Sequence, residues 1–211
     1  SRINVKVKHG DETEINGQGP VITEEAINEL FAKLDTLTKE DILVLAGSIP
    51  NTLPEDIYEK ILASLESKGI RVVVDATKDL LLNVLKYHPF LIKPNNHELG
   101  EMFGTVCKTD EDIVHYAKKL QEKGAVNVLI SMAGDGAILI TEDGQNIKMG
   151  TPKGKVVNSV GAGDSMVAGF ITGYIRGGNY EEALKSGTAA GSATAFSEGL
   201  ASLEMYEKML K

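Results

Sequence analysis

Two short stretches combine residue types and spacings that could do chemistry. The first is GAGD at 161–164, two glycines and an aspartate just ahead of the apolar run SMVAGFITGYI. A glycine-rich turn that opens a helix presents backbone N–H groups without intrahelical acceptors, at the positive end of the helix dipole. Gly161, Ala162 and Gly163 would then cradle an anion, with Asp164 beside it as a proton acceptor. A held anion next to a base is what transfer of a phosphoryl group to an alcohol requires. The second stretch is NNHE at 95–98, where Asn95 and Glu98 offer hard oxygen donors suited to a largely hydrated magnesium ion. Both have a plainer use, because an Asp or Asn at a helix start commonly caps it and an early Glu favours the dipole. A dinucleotide fingerprint would need glycine where Met166 stands, and no GK[ST] completes a P-loop.

The elements around these stretches alternate. RINVKVK, a turn in HGDE and TEIN predict a hairpin at the start. TEEAINELFAKLDTL has the spacing of an amphipathic helix with Thr23 as its N-cap. Continuous apolar strands in DILVLAG, RVVVDA, FLIKP and NVLIS then alternate with helices in PEDIYEKILASLESKG, KDLLLNVLKYH and DEDIVHYAKKLQEKG, the pattern of a parallel sheet covered on both faces. GDG at 134–136 joins NVLIS to AILIT as an antiparallel hairpin at one edge. The last third is helical, after Gly163, in YEEALKSGTAAGSATAFSEG and in SLEMYEKMLK. The small residues of the middle helix would admit either a neighbouring backbone or a flat ligand.

Composition sets limits. The 211 residues are 42% hydrophobic and 25% charged, with enough apolar material for a core. Lys and Arg number 22 against 30 acids, and a net charge of -8 argues against gripping a nucleic-acid backbone. The single cysteine, Cys107, excludes an intrachain disulfide and reads as a packing residue. His9, His88, His97 and His115 lack zinc spacing. No apolar stretch reaches the roughly 18 residues that span a bilayer, and SRINVKVKHG lacks a signal-peptide core, so a cytoplasmic protein is expected.

Five motifs in order give a further expectation: LAGSIP at 45–50, KPNNHELGEMFG at 93–104, SMAGDGA at 131–137, SVGAGDSMVAGF at 159–170 and AAGSATA at 189–195. Together they resemble the ribokinase-like sugar kinases, in the phosphofructokinase B branch, and RINVKVK with ETEINGQGP resembles that branch's bacterial 1-phosphofructokinases most. The resemblance implies a three-layer α/β/α fold, a mostly parallel sheet with an antiparallel edge hairpin, and part of a small β lid. It implies ATP and Mg²⁺, and phosphorylation of a phosphosugar, D-fructose 1-phosphate to the 1,6-bisphosphate first and tagatose 6-phosphate as the alternative.

The resemblance makes Asp164 the base that accepts the sugar hydroxyl's proton, and the amides of Gly161, Ala162 and Gly163 the cradle for the developing charge. It assigns Asn95 and Glu98 to the metal and Lys93 to the nucleotide phosphates. Ser131, Met132, Ala133, Gly134, Asp135 and Gly136 would run beside the nucleotide, with Ala133 where many relatives have glycine, and Ser192 would flank the adenine. Arg2 and Ser48 would meet the sugar phosphate and the floor of the site. Relatives carry further residues before the first strand, including an aspartate that grips the sugar. The chain is therefore expected to be the C-terminal two-thirds of a single kinase domain, with a partial lid hairpin at 1–16 and a nucleotide-binding α/β core at 40–211. Such a piece would bind nucleotide and be inactive on its own. A homodimer through the lid or the exposed sheet edge is also a candidate.

Overall fold

A computed structural model describes residues 3–9, 11–17 and 19–211. Strands β1 (Asn4–His9) and β2 (Asp11–Asn16) pair antiparallel as a separate two-stranded sheet, so that Asp11 and Glu12, expected in the HGDE turn, belong to β2. Ile3, Val5, Val7 and Ile15 of this ribbon are exposed.

Helix α1 (Glu24–Asp35) starts where expected, with the Ala26 N–H donating to Thr23 Oγ1 at 3.2 Å. The main sheet follows, with six strands in the order β3 (Ile42–Ala46), β4 (Arg71–Asp75), β5 (Leu91–Ile92), β6 (Asn127–Ser131), β7 (Ala137–Ile140) and β8 (Asn146–Met149). Pairing is parallel from β3 to β6 and antiparallel through β7 and β8. Helices α2 (Ile57–Leu65), α3 (Lys78–Val84), α4 (Asn96–Met102) and α5 (Asp110–Glu122) supply the crossovers. Beyond β8 come α6 (Ala162–Gly177), α7 (Tyr180–Ala195) and α8 (Leu203–Leu210).

Period-two alternation divides the strands between two cores. Val72, Val74, Ile92, Val128 and Ile130 pack with α2 to α5, whereas Val73, Leu91 and Leu129 pack with Met166, Val167 and Phe170 of α6 and with Ala183 and Leu184 of α7. Helices on both faces of a mostly parallel sheet make the expected three-layer α/β/α fold. Cys107 lies in the first core, where burial, followed by the negative Asp112, pushes its thiol pKa up.

Two features depart from the sequence reading. DILVLAG was expected to be covered on both faces, but β3 is the end strand, and Val44 is 41% exposed beside an outer edge that has no strand partner among the described residues. NIKM at 146–149, not assigned a strand above, pairs with β7 through a turn in which the Gln145 N–H donates to Thr141 Oγ1 at 3.0 Å. Its residues alternate between exposed and half-buried, so little apolar signal marks it. No described helix is long and apolar enough to cross a membrane.

Candidate active site

Parallel strands gather the ends of β3 to β6 along one rim, with Ser48 just past β3, Asp75 ending β4, Lys93 and Asn95 just past β5, and Ser131 ending β6. In open α/β sheets ligands bind outside these carboxyl ends. The first turn of α6 lies against the same rim, since a Cβ built on Gly163 would be 3.2 Å from Lys93 Nζ.

Gly161 caps α6 with φ 80°, a conformation that favours glycine. The Ser165 N–H donates to Gly161 O at 2.9 Å and the Ala162 N–H to Ser159 O at 3.2 Å. The N–H groups of Gly163 and Asp164 have no such backbone acceptor among the described residues, so they are the amides best able to meet an anion. Asp164 is exposed in this first turn.

Lys93 is 7% exposed, and its Nζ is 3.2 Å from Asp75 Oδ1. Burial raises the Asp75 pKa, Lys93 opposes that rise, and the negative charges of Asp164 and Glu98 add to it. Four groups from two strand ends and two helix starts therefore share one electrostatic environment. The sequence reading missed Asp75. The available signal was an acid closing an apolar strand in RVVVDA, which parallel topology must deliver to the same rim as Lys93.

Asn95 and Glu98 form a reciprocal capping box on α4. Asn95 Oδ1 accepts the His97 and Glu98 N–H groups, and Glu98 Oε2 accepts the Asn95 N–H at 2.8 Å. The plain capping role is thus real, yet the second Glu98 oxygen has no hydrogen-bond donor among the described residues. No group of three or more His, Cys, Asp or Glu among the described residues could hold a metal alone. The oxygen donors present suit magnesium, which keeps several waters and uses one or two carboxylates together with phosphates.

Ser131 bridges to Asn95, and the loop beyond it is a short 3₁₀ turn, Ala133–Asp135, closed by the Met132 N–H donating to Gly136 O at 2.8 Å. Thr151 Oγ1 donates to Gly134 O, tying this loop to the segment after β8. Met132 is buried while Ala133, Gly134 and Asp135 are exposed. Ala133 has φ 49°, in the left-handed region that favours glycine, so the backbone alone gives a reason for glycine at this position. Gly136 must be glycine, since its Cβ would fall 2.0 Å from Met149 O.

Small residues on α7 serve packing. Added Cβ atoms at Gly187 and Gly191 would approach Met166 O and Ala162 O to 3.0 and 3.1 Å. Ser192 lies in the same helix and is 6% exposed. Arg2 lies outside the described residues. A cleft of about 440 Å³ lined by His88, Gln121, Gly124 and Thr141 lies at the opposite ends of the strands, away from this rim.

A glycine-shaped helix start, an exposed carboxylate and a buried lysine thus meet at the carboxyl rim of a three-layer α/β/α sheet. The chain belongs to the pfkB family of carbohydrate kinases, whose profile it matches over residues 2–205. It is 52% identical over 210 residues to the 1-phosphofructokinase of Bacillus subtilis, covering 100% of this chain and 69% of that protein. It is 36% identical to the D-tagatose-1-phosphate kinase of Bacillus licheniformis, covering 99% of this chain and 68% of that protein. Escherichia coli phosphofructokinase-2 in complex with fructose-6-phosphate superposes with a TM-score of 0.85 at 26% identity, over 95% of this chain and 65% of that one.

Proposed function

We propose that the protein carrying this chain transfers the γ-phosphoryl group of ATP to the 6-hydroxyl of D-fructose 1-phosphate, giving the 1,6-bisphosphate and ADP. The observation that supports this most is Lys93 Nζ held against Gly163, with the charges of Asp164 and Glu98 felt at Asp75. In this reading Asp164 orients the sugar hydroxyl and takes its proton as oxygen attacks phosphorus. A carboxylate is a weak base toward a free alcohol, but the proton leaves late in a loose transition state, so orientation outweighs basicity. The N–H groups of Gly163 and Asp164, in the turn shaped by Gly161 and Ala162, hold the developing charge.

Lys93 meets the nucleotide phosphates, and the loop from Ser131 to Gly136, with Met132, Ala133, Gly134 and Asp135, runs beside the nucleotide. Ser192 stands on its adenine side. Asn95 and Glu98 would hold Mg²⁺, which when bound would neutralise charge on the phosphates. Ser48 and Arg2 serve the sugar phosphate. The 1–16 segment acts as part of a lid over the 40–211 core. The exposed apolar face of β1 and β2 and the free edge of β3 are the candidate self-association surfaces, read by sedimentation across a concentration series.

Relatives named for fructose and tagatose 1-phosphates favour a ketohexose 1-phosphate over the 6-phosphate alternative. Replacing Asp164 tests the site in the protein at its natural length. Asp164→Asn is expected to lower kcat by about 10²- to 10⁴-fold, with little change in ATP affinity. Turnover near that of the parent would return Asp164 to a capping role.

A further inference from the structure

The ion pair between Lys93 and Asp75 places charges where elementary electrostatics would not. Lys93 puts an ammonium 3.2 Å from the Cβ position of Gly163, at the start of α6, where the helix dipole is positive and a cation is disfavoured. The side chain is also almost fully buried, which is costly for a charge without a partner. Asp75 Oδ1 at 3.2 Å is the counter-charge that permits both. The backbone of Asp75 is itself fixed, because the residue pairs with Ala46 in the sheet and its carbonyl accepts the Gly47 N–H at 3.0 Å. A lysine has a flexible four-carbon stem, and an ion-pair partner carried on a fixed strand end restricts that freedom.

We propose that Asp75 is a positioning residue that acts through Lys93, holding its ammonium against the first turn of α6 so that lysine and the free amides of that turn face one phosphate. The inference rests on the kinase reading of the site. With the pair in place, the anion meets a pre-set cation and need not order a lysine on arrival. The raised Asp75 pKa accords with a carboxylate placed for this task at the cost of burial beside two other acids.

A double-mutant cycle in the protein at its natural length, with kcat and the KM for ATP measured at several Mg²⁺ concentrations, tests the proposal. Lys93→Met is expected to raise the KM for ATP by about 10- to 100-fold, the worth of a charge-assisted hydrogen bond. Asp75→Asn should raise the same KM with a smaller change in kcat, its defect should not depend on Mg²⁺, and the double variant should be no worse than Lys93→Met. Additive losses, or an Asp75→Asn defect abolished by high Mg²⁺, would overturn the proposal by showing that Asp75 acts independently of lysine. So would a lowered melting temperature with unchanged KM, the mark of a purely structural pair. Should Asp75→Asn give too little folded protein, Asp75→Glu keeps the charge but displaces it, and an unchanged KM in that variant is equally fatal. An unaffected Lys93→Met overturns the nucleotide role of Lys93 as well, whereas an impaired Lys93→Met beside a normal Asp75→Asn sinks only the present inference.

Discussion

Glu98 spends one carboxylate oxygen on the Asn95 N–H and keeps the other clear of donors among the described residues. The capping box thereby fixes the rotamer of a side chain that, in the proposed function, also presents negative charge to a metal. Glu98→Gln separates the two uses, because the amide oxygen can still accept the Asn95 N–H while the charge is lost. The variant is expected to keep its thermal stability and to lose activity at low Mg²⁺, with the deficit shrinking as Mg²⁺ rises. A deficit of the same size at every Mg²⁺ concentration would assign Glu98 another task. NNHE was legible as oxygen donors and as a cap, and the structure supplies the cap. Asp75 was not legible, since a lone strand-end acid acquires meaning only when the fold sets it 3.2 Å from a buried lysine.

Helices α6 and α7 show where helix propensity and packing compete. A Cβ at Gly169 would lie 2.5 Å from Ser186 O and 2.6 Å from Ala190 Cβ. Replacing an interior helical glycine by alanine gains about 1 kcal/mol in propensity, whereas overpacking costs typically about 1–3 kcal/mol. Contact with a rigid backbone oxygen should let packing win. Gly169→Ala is therefore expected to lower stability in urea titration, and to reduce activity because α6 carries Asp164; a net gain in stability would contradict such tight packing. The run KSGTAAGSATA read equally well as a helix contact or a ligand wall, and the close approaches at Gly169, Gly187 and Gly191 show the contact. The strand β8 escaped notice because its pattern is exposed and half-buried, whereas β4 and β6 announced themselves through unbroken apolar runs.

At the scale of the whole molecule, one topology does two jobs. Parallel pairing from β3 to β6 brings the chemistry-bearing strand ends to one rim, and the covering layer of α6 and α7 delivers a helix start to the same place. That layering was legible from the alternation of apolar strands with amphipathic helices. The position of β3 at the end of the sheet was not, because DILVLAG has the composition of an interior strand and only strand order reveals an edge without a strand partner among the described residues. The central claim is that this rim transfers phosphate from ATP to a ketohexose 1-phosphate. The most direct measurement is phosphorus NMR of the protein at its natural length with ATP, Mg²⁺ and D-fructose 1-phosphate, with D-tagatose 1-phosphate and D-tagatose 6-phosphate run in parallel. Stoichiometric ADP and fructose 1,6-bisphosphate, formed faster than either tagatose product, is the result expected. ATP that stays intact with all three sugars would contradict the account.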